Sequence, residues 1–439
     1  MESSNYGKLT GQVESYDFIQ YEDFRFDFIR TSDETKEISI CPEDDYLKCK
    51  TLDGEDMLIY MHDDFKACGK MWHLSSGLFI RGNVLDANLK GIRFNGGVLS
   101  NLFIPEAFEM EPIECGNALH YKDDSIKFNT QVAGRDVDIN VSSAIKESRG
   151  VSGTSITNNN VGLEIVFKEG LLLTDIRPTI LAVLEMCQFM ASRKNVGFES
   201  IELLKEYPIQ DGNINSSCAD IVFKYDCLNF TEKKWIEFLT FKELGDALPK
   251  LFKAMYLKGS DNTDFFTMDY FAAEDRDAFW FNSQRIKSIC TAVENEAERH
   301  GIVAETNNEF EDLKKKAKEL IKQYKDYEWM SDRTYNMINT DIKHWDYSAY
   351  DKYIKLFHKY EELVIQDADF TGSRAKFEEA IGKLIKYRNT STHGSHLQVT
   401  PEIVDTAYIL MLLVYCSRLD YLGISKDTIL EKIKCRAYC

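Results

Sequence analysis

The sequence predicts an α+β protein: a β-rich N-terminal domain, antiparallel sandwich or partial barrel, with an α+β extension, followed by a C-terminal all-α helical bundle. Three observations predict it. Residues 1–145 hold short alternating apolar runs separated by turn residues. Residues 146–260 mix such runs with two helical stretches. Beyond about residue 275, apolar side chains recur every three or four positions. The expected domains are therefore 1–145, 146–260 and 275–439, joined by a connector around Gly259-Ser-Asp-Asn-Thr263.

In the first segment, Asp17-Phe-Ile-Gln-Tyr21, Met57-Leu-Ile-Tyr60, Leu78-Phe-Ile80 and Ile126-Lys-Phe128 read as strand cores. Asp53-Gly54, Arg81-Gly-Asn83 and Asn95-Gly-Gly97 read as turns or hairpins. In the second, Val151 to Asn160 reads as a polar loop and Gly162 to Phe167 as a strand. Thr174 caps a helix with Pro178 in its first turn, buried through Ile180, Val183, Leu184, Cys187 and Met190. Ser200 to Leu204 and Ala219 to Phe223 are strands, and Phe241 to Leu257 is one helix.

The third segment predicts five helices. The first carries Ile286, Ile289, Cys290, Val293 and Ala297 on one face and stops at Gly301. The second buries Phe310, Leu313, Ala317, Leu320, Ile321 and Tyr324, with Lys314-Lys-Lys316 outside. The third buries Tyr350, Tyr353, Ile354, Phe357, Tyr360 and Val364. The fourth starts near Arg374. The last opens at Thr400-Pro401-Glu402, and from Ala407 to Cys416 it is apolar nearly all round, as at the centre of a bundle.

Composition bounds the function. The 439 residues are 44% hydrophobic and 12% aromatic, enough for substantial cores. The N-terminus lacks a signal-peptide pattern, and the apolar run of the last helix is too short to span a bilayer. Eleven scattered cysteines suit a reducing compartment. A cytoplasmic protein with no membrane partner is expected. The net charge of −19 is unevenly spread: residues 301–439 carry 21 Lys+Arg against 22 Asp+Glu, whereas the preceding 300 carry 32 against 50. The C-terminal part can approach RNA without strong repulsion; the N-terminal part suits a protein or a small ligand.

The chemistry gathers at Ile381-Gly-Lys-Leu-Ile-Lys-Tyr-Arg-Asn-Thr-Ser-Thr-His-Gly-Ser-His396. Phe377, Ile381 and Leu384 form an apolar stripe whose next position is Arg388. A guanidinium continuing a core face must be paired or open onto a cleft. Asn389 and His393 share a face if the helix persists. Arg388 and His393 lie about 140° apart on an ideal helix and converge only if the last turn loosens. Such a set suits RNA cleavage through the ribose 2′-hydroxyl: an imidazole to move protons, a guanidinium for the phosphate charge, an amide to orient. No metal or cofactor is required. An Arg–His pair at this spacing arises about once by chance in a chain of this make-up, so context has to carry it. With that context counted, the residues by themselves read equally well as a helix end capped by basic side chains.

Arg388-Asn389-Thr-Ser-Thr-His393-Gly394, between two amphipathic helices near the C-terminus, resembles the signature of the HEPN ribonuclease superfamily: an Arg, four to six residues, then a His, often with a polar residue after the Arg. The resemblance covers residues 275–439. The preceding half resembles, more loosely, the N-terminal domain of ApeA-type abortive-infection proteins. The resemblance implies a metal-independent endoribonuclease leaving a 2′,3′-cyclic phosphate and a 5′-hydroxyl, with Arg388 and His393 catalytic and Asn389 supporting. It implies a homodimer or higher homo-oligomer with motifs facing each other, RNA (transfer RNA as a candidate) as substrate, and a phage protein as a candidate trigger. Some HEPN domains are catalytically silent scaffolds or toxin–antitoxin partners, and that is the alternative reading.

Lys383, Lys386 and His396 are candidate RNA contacts, together with Lys432, Lys434 and Arg436 of the tail. Tyr387 could stack on a base, although a packing role is favoured. His62, Cys68 and His73 lack the paired short intervals of a structural zinc site. Neither a phosphate-binding glycine loop nor a serine-centred elbow is present.

Overall fold

The computed structural model describes residues 5–9, 16–21, 24–30, 45–61, 65–68, 71–84, 88–103, 108–113, 116–121, 125–150, 153–209, 212–224, 239–257, 270–271, 280–302, 308–343, 349–364, 374–392 and 398–437. The fold is mixed: antiparallel sheet first, then helices. The chain divides into two compact units, Met1–Phe266 with Ala273–Asp275, and Thr267–Ala272 with Arg276–Cys439. The expected connector at 259–263 lies outside the described residues.

The first unit contains β1 (Asn5–Leu9), β2 (Tyr16–Gln20), β3 (Arg25–Arg30), β4 (Tyr46–Thr51), β5 (Asp56–Tyr60), β6 (Phe65–Cys68), β7 (Met71–Ser75), β8 (Leu78–Gly82) and β9 (Leu89–Asn95). After the short α1 (Leu99–Leu102) come β10 (Phe108–Ile113), β11 (Gly116–Tyr121), β12 (Ser125–Val132), β13 (Arg135–Gly150) and β14 (Gly153–Phe167). Then follow α2 (Leu173–Ala191), β15 (Ser200–Ile209), β16 (Gly212–Phe223), α3 (Phe241–Leu244) and α4 (Leu248–Tyr256). Among the described residues, fourteen strands form one sheet in the order β12-β13-β14-β9-β15-β16-β8-β5-β4-β1-β2-β3-β7-β6, and β10 pairs with β11. Every pairing among the described strands is antiparallel, so hairpins suffice to connect many neighbours.

Alternation decides which face is buried. Phe26 and Phe28 of β3, Leu47 and Cys49 of β4, and Met57 and Ile59 of β5 join Phe18, Leu74 and Phe79 in one cluster. The Asp53-Gly54 turn forms as expected: Gly54 takes φ +84° and its N–H donates to the Thr51 carbonyl at 3.0 Å. In β9, Arg93 sits between Glu164 of β14 and Glu202 of β15, at 2.7 and 3.4 Å. α2 packs against α4, and Ile180, Val183, Cys187 and Met190 are fully buried.

Three local expectations are corrected. Residues 153–160 are not a loop but the first half of β14, paired with β13 through Thr157↔Lys146 and Ile156↔Glu147. Their polar side chains hide the strand, because the ladder is made by backbone groups that any side chain permits. α2 begins at Leu173, so Thr174 is inside the helix. The N-cap position is Leu172, and its N–H is satisfied from inside the first turn by the Asp175 carboxylate, which accepts it at 3.0 Å. The stretch from Phe241 to Leu257 is not one helix. Gly245 turns to φ +47°, a 3-10 turn spans Gly245–Ala247, and Pro249 restarts the helix in its first turn.

The second unit contains α5 (Ser283–Arg299), α6 (Asn308–Asp326), α7 (Asp332–Lys343), α8 (Ala349–Val364), α9 (Arg374–Thr392), α10 (Pro401–Leu422) and α11 (Lys426–Ala437). α10 is central, packing against α5, α8, α9 and α11. Thr400 caps it by accepting the Ile403 N–H, and Gly423 closes it at φ +91°. Ile286, Ile289, Cys290, Val293 and Ala297 of α5 are fully buried, and Gly301 ends that helix at φ +64°.

α7 and α11 were not expected as separate helices. In α6 the expected faces are shifted: Leu313, Leu320 and Tyr324 are exposed, whereas Lys314 is buried. The helix turns Lys314, Ala317 and Ile321 inward, one step round from the purely apolar line. In α8, Tyr353, Phe357 and Tyr360 are buried as expected, but Tyr350 is exposed. No helix among the described residues is long and apolar enough to cross a membrane.

Candidate active site at the end of helix α9

The apolar stripe of α9 holds: Phe377, Ile381 and Leu384 are fully buried. Arg388 takes the next position, and its charge is met by Glu294 of α5. The guanidinium Nη2 lies 3.1 Å from Oε1 and 3.3 Å from Oε2 of that carboxylate. The pair is part-buried, with 30% of the arginine and 18% of the glutamate side chain exposed. Beneath it, Tyr353 of α8 donates its hydroxyl proton between Glu294 Oε1 at 3.1 Å and the Cys290 carbonyl at 3.0 Å. Three helices thus fix the guanidinium from one side. On the other, Arg388 Nη1 donates to Asn389 Oδ1 at 3.3 Å, and Asn389 itself is exposed.

The surroundings set the ionisation. Burial, then the neighbouring Cys290 and Glu294, push the Tyr353 phenol well above its ordinary value. It therefore stays a neutral donor, as the Glu294 carboxylate requires. Burial pushes the Cys290 thiol up to about 11, against the smaller opposing pull of Arg388. That thiol is packing, not a nucleophile.

α9 remains helical through Thr392, and Thr390 Oγ1 donates back to the Lys386 carbonyl at 2.8 Å. The loosening expected within the last turn is thus not found up to Thr392. Any meeting of His393 with Arg388 must be made by the chain beyond Thr392 or by a second copy. His393 and His396 lie outside the described residues. The structure brings together Arg388 and Asn389 and adds Glu294 and Tyr353, which sequence reasoning missed. A carboxylate at the edge of the apolar face of α5 was the available signal, but its partner is 94 residues away.

The candidate RNA contacts divide. Lys386 is exposed. Lys383 is exposed but bound to Glu402 at 2.8 Å and Glu379 at 3.1 Å, so it would have to leave two carboxylates to meet a phosphate. Tyr387 is buried and packs rather than stacks, and Lys432 is buried on α11, which removes it from any surface path. His62 lies outside the described residues, and His73 Nδ1 is bound to Asp27 at 2.6 Å. Among the described residues no group of three or more His, Cys, Asp or Glu is arranged to hold a metal ion.

A second polar cluster was not anticipated. Glu296 of α5 and Arg418 of α10 are fully buried and meet at 2.9 Å. Ser417 Oγ donates to Glu296 at 2.8 Å, and Arg418 Nη1 donates to the Tyr270 hydroxyl at 3.0 Å. His300 continues the chain outward, with Nε2 2.9 Å from Ser417 Oγ and 3.0 Å from Tyr360 Oη. Its Nδ1 accepts from Lys359 at 2.7 Å, and Tyr360 donates to Asp420 at 2.7 Å.

The chain matches no protein-family model, no curated protein and no solved structure.

Proposed function

We propose that the chain is a cytoplasmic, metal-independent endoribonuclease of the HEPN type, acting in abortive infection. In this reading the helical unit is the HEPN bundle. The N-terminal sheet, read as a sandwich or partial barrel, is the half that senses infection. The observation that supports it is Arg388: a guanidinium at the tip of an apolar stripe, oriented by Glu294 and still part-exposed, with Asn389 beside it and His393 five residues on. His393 removes the proton of a ribose 2′-hydroxyl, whose oxygen attacks the adjacent phosphorus. The P–O5′ bond breaks, the 5′-oxygen takes a proton, and a 2′,3′-cyclic phosphate remains. Arg388 stabilises the charge that grows on the phosphate oxygens. A homodimer would set two such motifs face to face. The acidic first 300 residues favour a protein trigger, such as a phage protein, over a nucleic acid.

The test is incubation of the purified protein with total RNA, then with transfer RNA, in EDTA. Cleavage giving cyclic-phosphate ends, abolished by His393→Ala and Arg388→Ala, supports the reading. Cleavage that needs added metal or survives His393→Ala refutes it.

The Arg388–Glu294 pair also favours a second reading, a silent HEPN scaffold or toxin–antitoxin partner in which that arginine serves packing alone. Growth arrest on overexpression separates the two. It disappears with Arg388→Ala in a folded protein if the chain is a nuclease, and is absent from the start if it is a scaffold.

A further inference from the structure

Helix α6 presents three faces. Lys314 is buried and Ala317, Ile321 and Lys325 are part-buried on the side that meets α7, where the Lys325 ammonium lies 4.5 Å from the centre of the Tyr335 ring. Lys315, Lys318 and Lys322 form a second, solvated face. The third is apolar and lies in water: Leu313 and Tyr324 are exposed, Leu320 is 54% exposed and Tyr327 65%. Among the described residues no other helix packs on α6 to the extent that α7 does.

The spacing of the third face is that of a helix seam. Leu313, Ala317, Leu320, Tyr324 and Tyr327 follow one another at intervals of four, three, four and three. That repeat keeps a narrow apolar line facing one neighbouring helix over its whole length. Tyr327 belongs to the line because its N–H still donates to the Gln323 carbonyl, four residues back. Trp329, 67% exposed, widens that end: Tyr327 stacks on its ring at 5.0 Å and Tyr324 meets it edge-on at 5.2 Å.

We infer that the occupant of this face is the α6 of a second copy of the chain, laid antiparallel across a two-fold axis at Leu320. The area fits. At their exposures the two leucines, two tyrosines and the tryptophan leave on the order of 600 Å² of side-chain surface in water, the most that a monomer ordinarily leaves in one patch and most of the ~800 Å² that each partner gives to a stable interface. The charge fits. Residues 308–343 hold eight Lys+Arg and eight Asp+Glu in a chain of net charge −19, so two copies meet here through neutral surfaces. Charges farther away than about 10 Å are screened at ordinary salt. The shape fits as well. Leu320 stands midway between Leu313 and Tyr327, so the antiparallel order sets the narrow leucine end of each line against the wide aromatic end of the other. A parallel order would crowd the two Trp329 rings together and leave a gap at Leu313. Arg388 lies on α9, which packs on α5, α8 and α10. The α6 contact is thus a different surface from the facing motifs proposed above, and it does not rest on the ribonuclease reading.

The test is sedimentation of the full chain at tens of micromolar, beside Leu320→Glu and Leu320→Lys, which change an exposed side chain. The parent self-associates. Each variant alone weakens that association about a hundredfold and keeps its far-UV circular dichroism. Mixed in equal amounts the two variants associate again, because across the axis the new carboxylate meets the new ammonium. If the facing motifs also join copies, the parent is a tetramer and each variant a dimer, and the step lost and regained is the same. A monomeric parent overturns the inference and leaves the face to a different protein. So does self-association that Leu320→Glu leaves unchanged, which puts the contact between copies elsewhere. Variants that separate and do not recombine when mixed overturn the pairing at Leu320. RNA cutting in EDTA, read on the same preparations, keeps the two readings apart: cutting by a chain with no α6 contact sinks only the contact, and an α6 contact in a chain that cuts nothing sinks only the nuclease.

Discussion

Glu296 and Arg418 meet at 2.9 Å where water reaches neither side chain. Two opposite charges removed from water gain little over an apolar pair, but one left alone is expensive. Glu296→Ala and Arg418→Ala should each destabilise the helical unit by about 3–5 kcal/mol. Glu296→Leu with Arg418→Met should recover much of that loss. Urea denaturation of the four proteins measures it, and equal destabilisation of single and double variants would contradict the buried-pair account.

His300 gives stability a pH dependence. Burial first, then the Lys359 ammonium, hold its imidazole below the ordinary value, against the raising pull of Glu296 and Asp420 and with Arg299 adding to the lowering. The unfolded chain therefore binds the proton more readily than the folded one. The neutral ring's contribution is full above about pH 6.5 and is lost as pH falls below that, through the lowered folded value. Melting temperatures between pH 8 and 5 should fall in the parent and fall less in His300→Gln.

Arg388 and Glu294 divide the work at the proposed site. Arg388→Ala should lower kcat by about 100-fold or more. Glu294→Gln keeps the hydrogen-bonding shape but loses the charge that orients the guanidinium. It should lower kcat several-fold with KM nearly unchanged, and Arg388→Lys should not restore the rate. A Glu294→Gln variant that loses only stability, with kcat intact, would show the carboxylate to be structural.

Gly91 of β9 pairs with Val166 of β14. A Cβ there would overlap the Ile165 carbonyl oxygen, a backbone atom held in the ladder. Gly91→Ala should destabilise the N-terminal unit by about 1–3 kcal/mol, seen in thermal unfolding.

Much of the helical half was legible because the period of Phe377, Ile381 and Leu384 is unambiguous and Thr400-Pro401 is a strong start signal. Arg388 could be singled out because it interrupts that period. Glu294 and Tyr353 could not, since neither breaks a pattern on its own helix and their link to Arg388 exists only after three helices pack. Arg418 escaped because a charge just past the apolar run of α10 signals nothing until Glu296, 122 residues away, packs against it. The first half of β14 was missed because pairing with β13, not side-chain alternation, makes it a strand. α6 misled because the face of a helix that packs only on its hairpin partner need not coincide with its most apolar line.

The β13–β14 hairpin outgrows its sheet. β12 accompanies β13 only as far as Ser142, and β9 accompanies β14 only from Gly162 to Val166. Among the described residues, the stretches from Ser143 to Gly150 and from Gly153 to Val161 pair only with each other. A ribbon two strands wide is marginal by itself. Its amide hydrogens should therefore trade for deuterium well before those of Ile139 or Ile165, and limited trypsin should nick the chain first at Lys146 or Arg149.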